Sequence, residues 1–418
     1  MTHMRRIIFH TLLLASLGVI CSAATAQRKQ AVPRHKLDPY TKNDPEALAK
    51  IGYVTYEPEQ FGAKGTQAVS CRDIENHLAY AQFRCIETPH LVIMSSLQSV
   101  STPSDPIERK RLRAELTRLK EKGLPKVNPK TRQLDPWLRL HLIAMRLEET
   151  YAEVQSWLGV TDKDFPKAAA KIITSNKRYM GTGPFLGQTG KFLFLITEQE
   201  STYTDYLKTY VGRDSKFGQR WNFKGVGSLF YGIGANMEGG RLRQDRALHA
   251  NLVFNLTHNL IDGYRFYAYD LPVWIKVGLT HWFERRVSPK WNSFDQNEGS
   301  MADKKTTWKW EPQTRRLLSS KKGSPFAQVY TWRDYGQVGF NDHVLIWSRW
   351  DFLMSFGKEK FAEFMLEVKG RVDPETWLPD DADLVGATRT ALQKVYGLTP
   401  LTLDPRWRAW VIKNYSTR

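Results

Sequence analysis

Two segments in the second half of the chain show apolar residues at helical spacing. In the first segment a leucine recurs at every fourth position: Leu248, Leu252, Leu256 and Leu260. Residues four apart lie on one face of an α-helix, and Gly263 is the type of residue that commonly ends one. The second segment, 273–286, follows Pro272, which a first helical turn tolerates because the missing N–H would have no partner there. The pattern therefore predicts two helices packed across each other.

Upstream of these helices, apolar runs and stripes predict strands and helices. Residues 87–96 and 191–197 have the composition of strands, and 225–231 would supply the edge strand above the first of the two helices. Segments 105–123 and 135–158 carry apolar stripes that are typical of helices. Further helices are predicted downstream, at 340–357, at 358–370 and in a final region that includes 404–410.

The first 26 residues have the three parts of a secretory signal. Arg5 and Arg6 form a basic start, the apolar stretch 7–20 follows, and Ala-Thr-Ala at 24–26 precedes the expected cleavage before Gln27. The apolar stretch is too short for a membrane span. We therefore expect an exported protein, periplasmic or secreted, without a stable transmembrane segment after cleavage.

Composition divides the mature chain into three parts. Residues 27–50 are polar and basic and predict a flexible tail, and 51–88 predict a small N-terminal cap. The main domain is then 89–418, with a long loop or insertion at 290–330 that is rich in Trp, Lys, Ser and Gly.

Signal cleavage removes Cys21 and leaves two cysteines, Cys71 and Cys85, both in the predicted cap. An exported chain passes through an oxidising compartment, so these two can form a disulfide. Closing this loop would contribute roughly 3 kcal/mol to stability by the chain-entropy argument. Two separate thiols are the alternative, and a pair of cysteines is by itself no metal site.

The chain is basic, with 61 Lys and Arg residues against 43 Asp and Glu and a formal net charge of +18 at pH 7. An exported protein of this charge is attracted to polyanions such as cell-wall polymers and acidic polysaccharides. The predicted contact surfaces are the basic helix 105–123 and the insertion 290–330. Export argues against nucleic acid as the natural partner.

The most informative pattern joins the two predicted helices. Residues 254–258 read Phe-Asn-Leu-Thr-His, and after eighteen further residues the chain reads Val-Gly-Leu-Thr-His-Trp-Phe-Glu from position 277. On a helix, 254 and 258 project together toward one ion, and 255 is the place for a general base acting on metal-bound water.

This pattern resembles the gluzincin (thermolysin-like, peptidase MA-like) zinc metallopeptidases. Their motif is His-Glu-x-x-His, about twenty residues, then Pro-x-Trp-x-x-Glu-Gly-x-Ala-x-Tyr-Phe. Here 272–283 reads Pro-Val-Trp-Ile-Lys-Val-Gly-Leu-Thr-His-Trp-Phe. Phe254 stands at the position of the first zinc ligand and Asn255 at that of the general base. His258 keeps the second ligand position, and Val277 replaces the third ligand.

The resemblance implies an α+β fold, a gluzincin-like domain with a small N-terminal sheet and a mostly helical C-terminal half. A zinc site needs about three protein ligands, so the losses predict no zinc, no other cofactor and no peptide hydrolysis. We therefore expect a pseudopeptidase, an exported and catalytically inactive protein that acts as a binding or structural module of the cell envelope. Its cleft would hold a peptide or an envelope polymer.

Two alternatives stay open. A hydrolase site could be rebuilt around His258 and His281, the candidate metal ligands, with Asp262 and Glu284 as further groups. This alternative requires the four side chains to converge within hydrogen-bond or ligand distance. The other alternative is a basic envelope protein that associates with polyanions.

Overall fold

The computed structural model describes residues 32–168, 174–175, 178–294 and 308–417. The predicted signal peptide, 1–26, and residues 295–307 of the predicted insertion lie outside this part of the chain. The helices are α1 (Pro45–Ile51), α2 (Cys71–His77), α3 (Pro106–Lys122), α4 (Pro136–Leu158), α5 (Glu200–Tyr206), α6 (Asp245–Gly263), α7 (Val273–Val287), α8 (Trp310–Ser319), α9 (Phe326–Val329), α10 (Phe340–Met354), α11 (Lys358–Lys369), α12 (Leu384–Ala391) and α13 (Leu403–Asn414). The strands are β1 (Ala63–Lys64), β2 (Gln67–Ala68), β3 (Arg84–Glu87), β4 (Leu91–Ser95), β5 (Val100–Ser101), β6 (Gln133–Leu134), β7 (Thr174–Ser175), β8 (Arg178–Tyr179), β9 (Phe192–Thr197), β10 (Gln219–Phe223) and β11 (Ser228–Gly234).

The main sheet has five strands in the order β10-β11-β9-β4-β3. The three central strands run parallel, and the outer strands β10 and β3 pair antiparallel with their neighbours. Every residue of β4, β9 and β11 is buried. A parallel sheet is covered on both faces, which explains why these strands are almost continuously apolar. The strands predicted at 87–96 and 191–197 are confirmed as β4 and β9. The strand predicted at 225–231 is present as β11 but lies three residues further on, at Ser228–Gly234, after a 3-10 turn at Lys224–Val226.

One detail of the sheet differs from the prediction. Residues 225–231 are predicted as the edge strand, but β11 lies inside the sheet, between β10 and β9. The edge strand on this side is β10, with the sequence Gln-Arg-Trp-Asn-Phe. Four of its five residues are only partly buried, as is usual at the edge of a sheet. Its sequence mixes polar and aromatic residues, and it therefore has no apolar run that would indicate a strand.

The predicted α+β class is confirmed. The last strand of the main sheet ends at Gly234. In the described chain after this residue, all the regular elements are helices. Local signals set the helix ends: Asp105 and Asp135 each accept hydrogen bonds from backbone N–H groups in the first turns of α3 and α4. Gly123 and Gly159 follow the last turns of the same two helices.

Helix α6 is the centre of the molecule, and all its residues from 250 to 263 are buried. The leucine stripe predicts one buried face, but α4, α7 and the sheet cover the other faces as well. Arg146 of α4 donates to Asp245 at 2.8 Å, and Asn259 Nδ2 donates to the carbonyl oxygen of Phe230 on β11 at 3.3 Å. The predicted pair of packed helices is therefore present, within a larger layer of helices.

Gly278 of α7 allows the closest approach between helices. A Cβ atom at this position would lie 1.9 Å from Cδ1 of Trp350 on α10, so any side chain would displace that indole. Trp350 Nε1 donates to the carbonyl oxygen of Trp274 at 2.9 Å, and the two indole rings stack. The glycine and the tryptophan of the motif therefore serve packing in this protein.

The described part of the predicted flexible tail differs from that expectation. Asp38 is fully buried, accepts hydrogen bonds from Thr41 and Tyr56, and pairs with His141 of α4 at 3.2 Å. Burial by itself would raise the pKa of Asp38, but the His141 and Thr41 hydrogen bonds lower it below its usual range. The residues around Asp38 are thus fastened to the core by an ionised buried carboxylate.

The predicted cap, 51–88, is not separate from the main domain, because its last residues form an edge strand of the main sheet. Its last residues form β3, which pairs with β4, and its apolar residues belong to the same core as the main domain. Cys71 and Cys85 are buried and are separate thiols in the structure. Burial and a hydrogen bond with Cys71 raise the pKa of the Cys85 thiol, so the two sulfurs are neighbours. The disulfide stays a prediction.

The described part of the predicted insertion, 290–330, includes two helices, α8 and α9, and α8 packs against the core. Its helix α8 buries Trp310, Gln313, Thr314 and Leu317. This is the i, i+3, i+4, i+7 spacing of a helix face, and the basic residues between them hide it in the sequence.

Over the described residues, the helices include none that is both long and apolar enough to cross a membrane.

Candidate functional site

A cleft of about 460 Å³ opens between the edge strand β10 and the helices α6 and α7. We call it the motif cleft, and its wall includes Arg220 and Trp221 from β10, His258 and Asp262 from α6, Lys276 from α7, and Tyr335. The two helices run antiparallel, since Phe254 lies beside His281 while Asp262 lies beside Lys276. Of the four motif positions, His258 lines this cleft and Asn255 bonds to its wall residue Arg220. Phe254 and Val277 are buried and are not among the lining residues.

Two of the four motif positions hold buried apolar side chains. Phe254 is 1% exposed and its ring packs against that of His281, with the centroids 5.2 Å apart. Val277 is fully buried. Neither side chain has an atom that can donate an electron pair to a metal ion, so packing replaces coordination at the positions of the first and third ligands.

Asn255, at the position of the general base, holds β10 against α6. Its Oδ1 accepts a hydrogen bond from Arg220 at 2.7 Å, and its Nδ2 donates to the carbonyl oxygen of Asn251 at 3.0 Å. A carboxamide has no pKa near neutrality and does not serve as a proton acceptor. The residue therefore fixes the wall of the motif cleft.

His258 is the only metal-binding type of side chain among the four motif positions. Its Nδ1 lies 3.0 Å from Oδ2 of Asp262, one turn further along α6, and its Nε2 lies 2.7 Å from the hydroxyl of Tyr335. The carboxylate beside Nδ1 favours an N–H on that nitrogen, which leaves Nε2 to accept from Tyr335. Both ring nitrogens therefore have protein partners.

Lys276 completes this group, which we call the cleft cluster: Asp262, His258, Tyr335 and Lys276. Lys276 Nζ lies 4.0 Å from Oδ1 of Asp262 and 5.1 Å from the centre of the Tyr335 ring. Burial by itself would raise the pKa of Asp262, but the Lys276 ammonium and then His258 lower it to about 2. The carboxylate is thus ionised at neutral pH, and the chain Asp262–His258–Tyr335 can hold a proton or hydrogen-bond a ligand.

These residues do not fit the zinc site that the resemblance implies. One of the three ligand positions keeps a donor side chain, and both nitrogens of that side chain are engaged. In the described ranges, three or more His, Cys, Asp or Glu side chains do not come together anywhere in a group that could hold a metal ion. The set of donors that zinc requires is therefore incomplete at the motif cleft.

His281 belongs to a different group, the core cluster: His281, Glu284, His343 and Ser293. All four residues are buried. Nδ1 of His281 lies 3.2 Å from Oε2 of Glu284, and its Nε2 lies 3.0 Å from Nδ1 of His343. The backbone N–H of Ser293 donates to Oε1 of Glu284 at 2.7 Å. Burial raises the pKa of Glu284 well above its usual value, although the Ser293 hydrogen bonds act in the opposite direction.

The four groups of the predicted rebuilt hydrolase site are therefore divided between two clusters. The structure brings His258 together with Asp262, and it brings His281 together with Glu284. The i, i+4 and i, i+3 spacings along the helices indicate these two pairs in the sequence. Tyr335 and His343 have no such signal, because each arrives from a segment more than sixty residues away.

The basic helix α3 shows how the predicted polyanion surface is arranged. Arg111 pairs with Glu108 at 3.2 Å, and Arg118 and Lys122 pair with Glu149 of α4 at 3.0 and 3.7 Å. Part of the positive charge of α3 is thus compensated within the protein, and exposed pairs of this kind contribute little to stability.

Comparison of the chain with protein-family models, with curated proteins and with solved structures found no match.

Proposed function

We propose that this is an exported, catalytically inactive gluzincin-like protein whose motif cleft binds an extended peptide segment. The observation that supports it best is the combination of an open cleft with motif positions that carry packing residues. Phe254 and Val277 fill the ligand positions, Asn255 bonds to Arg220, and His258 bonds to Asp262 and Tyr335. The cleft is open, but the side chains that would bind zinc for catalysis are missing from it.

The edge strand β10 favours a peptide as the ligand. Within the described chain its inner edge pairs with β11, and its outer edge has no strand beside it. The backbone N–H and C=O groups of an edge strand can hydrogen-bond an added extended peptide, while side-chain contacts select its sequence. Trp221 of β10 and Tyr269 line the same cleft and supply flat apolar surfaces for such contacts.

The test is a peptide-array screen of the mature protein, followed by titration of the best peptides. Trp221→Ala removes an aromatic surface from the motif cleft and should weaken peptide binding about tenfold. Trp377→Ala, at a 51%-exposed tryptophan that does not line the cleft, is the matched control and should bind like the wild type. An array with no signal above background, or equal affinity in both variants, would contradict the proposal.

Mass spectrometry tests the other parts of the proposal: the absence of zinc, the cleavage of the signal and the state of the two cysteines. Elemental mass spectrometry of the untagged mature protein should find no stoichiometric zinc, and about one zinc per chain would overturn the inactive assignment. Intact mass of the exported protein should correspond to a chain that begins at Gln27. The same experiment after alkylation in denaturant without reductant shows whether Cys71 and Cys85 are paired, because both thiols are then accessible and only separate thiols take up the label.

A further inference from the structure

A second pocket of about 460 Å³ lies where the C-terminal part of α7 meets α8 and α10. We call it the tryptophan pocket, because four indoles line it: Trp282, Trp308, Trp310 and Trp347. It shares no lining residue with the motif cleft. Nothing in the proposed peptide binding uses it.

Arg285 supplies a positive charge to the wall of this pocket. Its Nη1 donates to the carbonyl oxygen of Pro289 and to Oδ1 of Asn292, at 3.2 and 2.7 Å, and its Nη2 donates to the carbonyl oxygen of Trp308 at 2.8 Å. All three acceptors are uncharged. Among the residues that the structure describes, Arg285 forms no ion pair within 4.0 Å and Nε has no hydrogen-bond partner. The guanidinium is held in place without a directly bonded carboxylate.

The same guanidinium lies between two indole rings. Its central carbon is 4.0 Å from the ring centre of Trp310 and 4.8 Å from that of Trp347. Burial lowers the pKa of Arg285 to about 10, so the side chain remains charged at neutral pH. Stacking and carbonyl contacts fix the orientation of the planar group, and a fixed guanidinium suits the recognition of a carboxylate.

The two acids in the pocket do not cancel this charge by direct contact. Asp351 accepts hydrogen bonds from Trp282 Nε1 at 3.0 Å and from the hydroxyl of Tyr415 at 2.9 Å, and burial raises its pKa. Glu311 is exposed. Lys309 also lines the pocket, and so does Arg286, which pairs with Glu153 of α4.

Tryptophan faces complete the chemistry of the pocket. Trp308 is 42% exposed and Trp282 is half-buried, so both present ring surface near the opening. An indole face is apolar with a negative quadrupole, and it packs well against the C–H face of a sugar ring. A small inorganic anion would not use these surfaces, and a neutral sugar would leave the charge of Arg285 uncompensated.

We propose that the tryptophan pocket binds an acidic sugar, a pyranose ring that carries a carboxylate, as part of an anionic polysaccharide. The indole faces pack against the ring, and Arg285 with the neighbouring cations attracts the carboxylate. The volume of the pocket lies in the range of small-molecule sites. The positive net charge of the chain assists the encounter with a polyanion.

The test titrates the mature protein with a uronic-acid trisaccharide and follows the heat of binding. The matched ligand is the methyl ester of the same trisaccharide, which keeps the rings and removes the charge. The acid should bind at least about tenfold more tightly than the ester, because hydrogen bonds to charged groups are the stronger ones. Inorganic phosphate alone should show no saturable binding at the same concentrations.

Two variants locate the site. Trp308→Ala removes a 42%-exposed indole from the wall of the pocket, and it should weaken binding of the trisaccharide about tenfold. Trp221→Ala changes the motif cleft instead and should leave this affinity unchanged. Equal binding of acid and ester, equal loss in the two variants, or no binding of the acid would each overturn the proposal. Peptide titrations of the same samples report separately on the motif cleft.

Discussion

The cleft cluster and the core cluster are built from the same kind of pair, a histidine and a carboxyl group on one helix. In the cleft cluster, Asp262 is next to Lys276 and at the wall of an open cleft, and its pKa is lowered to about 2. In the core cluster, Glu284 is fully buried, and its pKa is raised well above the usual value. One carboxyl is ionised at neutral pH, and the other is held toward its neutral form.

The difference shows that a charged partner decides the protonation of the carboxyl group in a buried histidine–carboxyl pair. A nearby ammonium group favours the charged carboxylate, and it outweighs burial at Asp262. At Glu284 burial outweighs the hydrogen bonds from Ser293. The cleft cluster is therefore the ionised group and lies at the wall of the motif cleft, whereas the core cluster lies in the interior.

The largest expected effect comes from placing a charge between the two helices. Val277→Glu would put a carboxyl in a fully buried apolar position and should cost about 3 kcal/mol or more in the free energy of unfolding. Adding Phe254→His gives, with His258, three ligands of the gluzincin type, and zinc should then raise the thermal midpoint of the double variant. Magnesium is the control ion. A double variant that zinc does not stabilise would contradict the proposed gluzincin frame.

Removing the buried carboxyl of the core cluster should have the next largest effect. Glu284→Ala leaves the Ser293 N–H and His281 without their partner and opens a cavity, so urea unfolding should show a loss of about 3 kcal/mol. Glu284→Gln keeps the shape and resembles the neutral acid, and it should cost about 1 kcal/mol. If Gln cost as much as Ala, the assignment of a neutral Glu284 would be wrong.

The two carboxyl groups should give pH dependences of opposite sign. The folded pKa of Asp262 is lowered from 3.8 to about 2, so its stabilisation is present above pH 3.8 and is lost as the pH falls to about 2, a change of about 2 kcal/mol. The folded pKa of Glu284 is raised above 4.5, so its contribution is present below pH 4.5 and is lost as the pH rises through the folded pKa. Asp262→Asn should flatten the acid limb of the stability profile, and Glu284→Gln should remove a loss above pH 4.5. Variants that kept the wild-type slopes would refute this comparison.

The smallest effect is expected at the hydroxyl of the cleft cluster. Tyr335→Phe removes the hydrogen bond to His258 Nε2 but keeps the ring, and water from the cleft can replace the hydroxyl. The loss in urea unfolding should be about 1 kcal/mol or less. A loss as large as that of Glu284→Ala would show that the cleft cluster is as closed to water as the core cluster.

Much of the fold follows from signals that are local in the chain. Asp105 and Gly123 bracket α3, and Asp135 and Gly159 bracket α4, as capping preferences predict. The apolar runs at β4 and β9 are confirmed as central strands of the sheet. Strand β10 and helix α8 were not predictable in the same way, because polar residues interrupt their apolar patterns and only packing against β11 and α10 reveals which side is buried.

The candidate site was predictable in its parts and not in its assembly. The spacing of Phe254, Asn255 and His258, with Val277 further on, predicts that these positions meet. In the structure His258 lines the motif cleft, while Phe254 and Val277 are buried. The pairing of His258 with Asp262 also follows from helical spacing. The contribution of Tyr335 does not, because it depends on how a distant loop packs.

The sequence by itself determined which side chains are present at the motif positions, and therefore that the ligand set of a zinc peptidase is incomplete. It also determined the main helices and the central strands, because capping, helical spacing and apolar runs act over a few residues. Only the tertiary structure decided that His258 and His281 belong to separate clusters, that Asp262 is charged while Glu284 is held toward the neutral form, and that Arg285 lines a pocket of tryptophans. These properties depend on burial and on charges brought together from distant segments, and neither exists until the chain has folded.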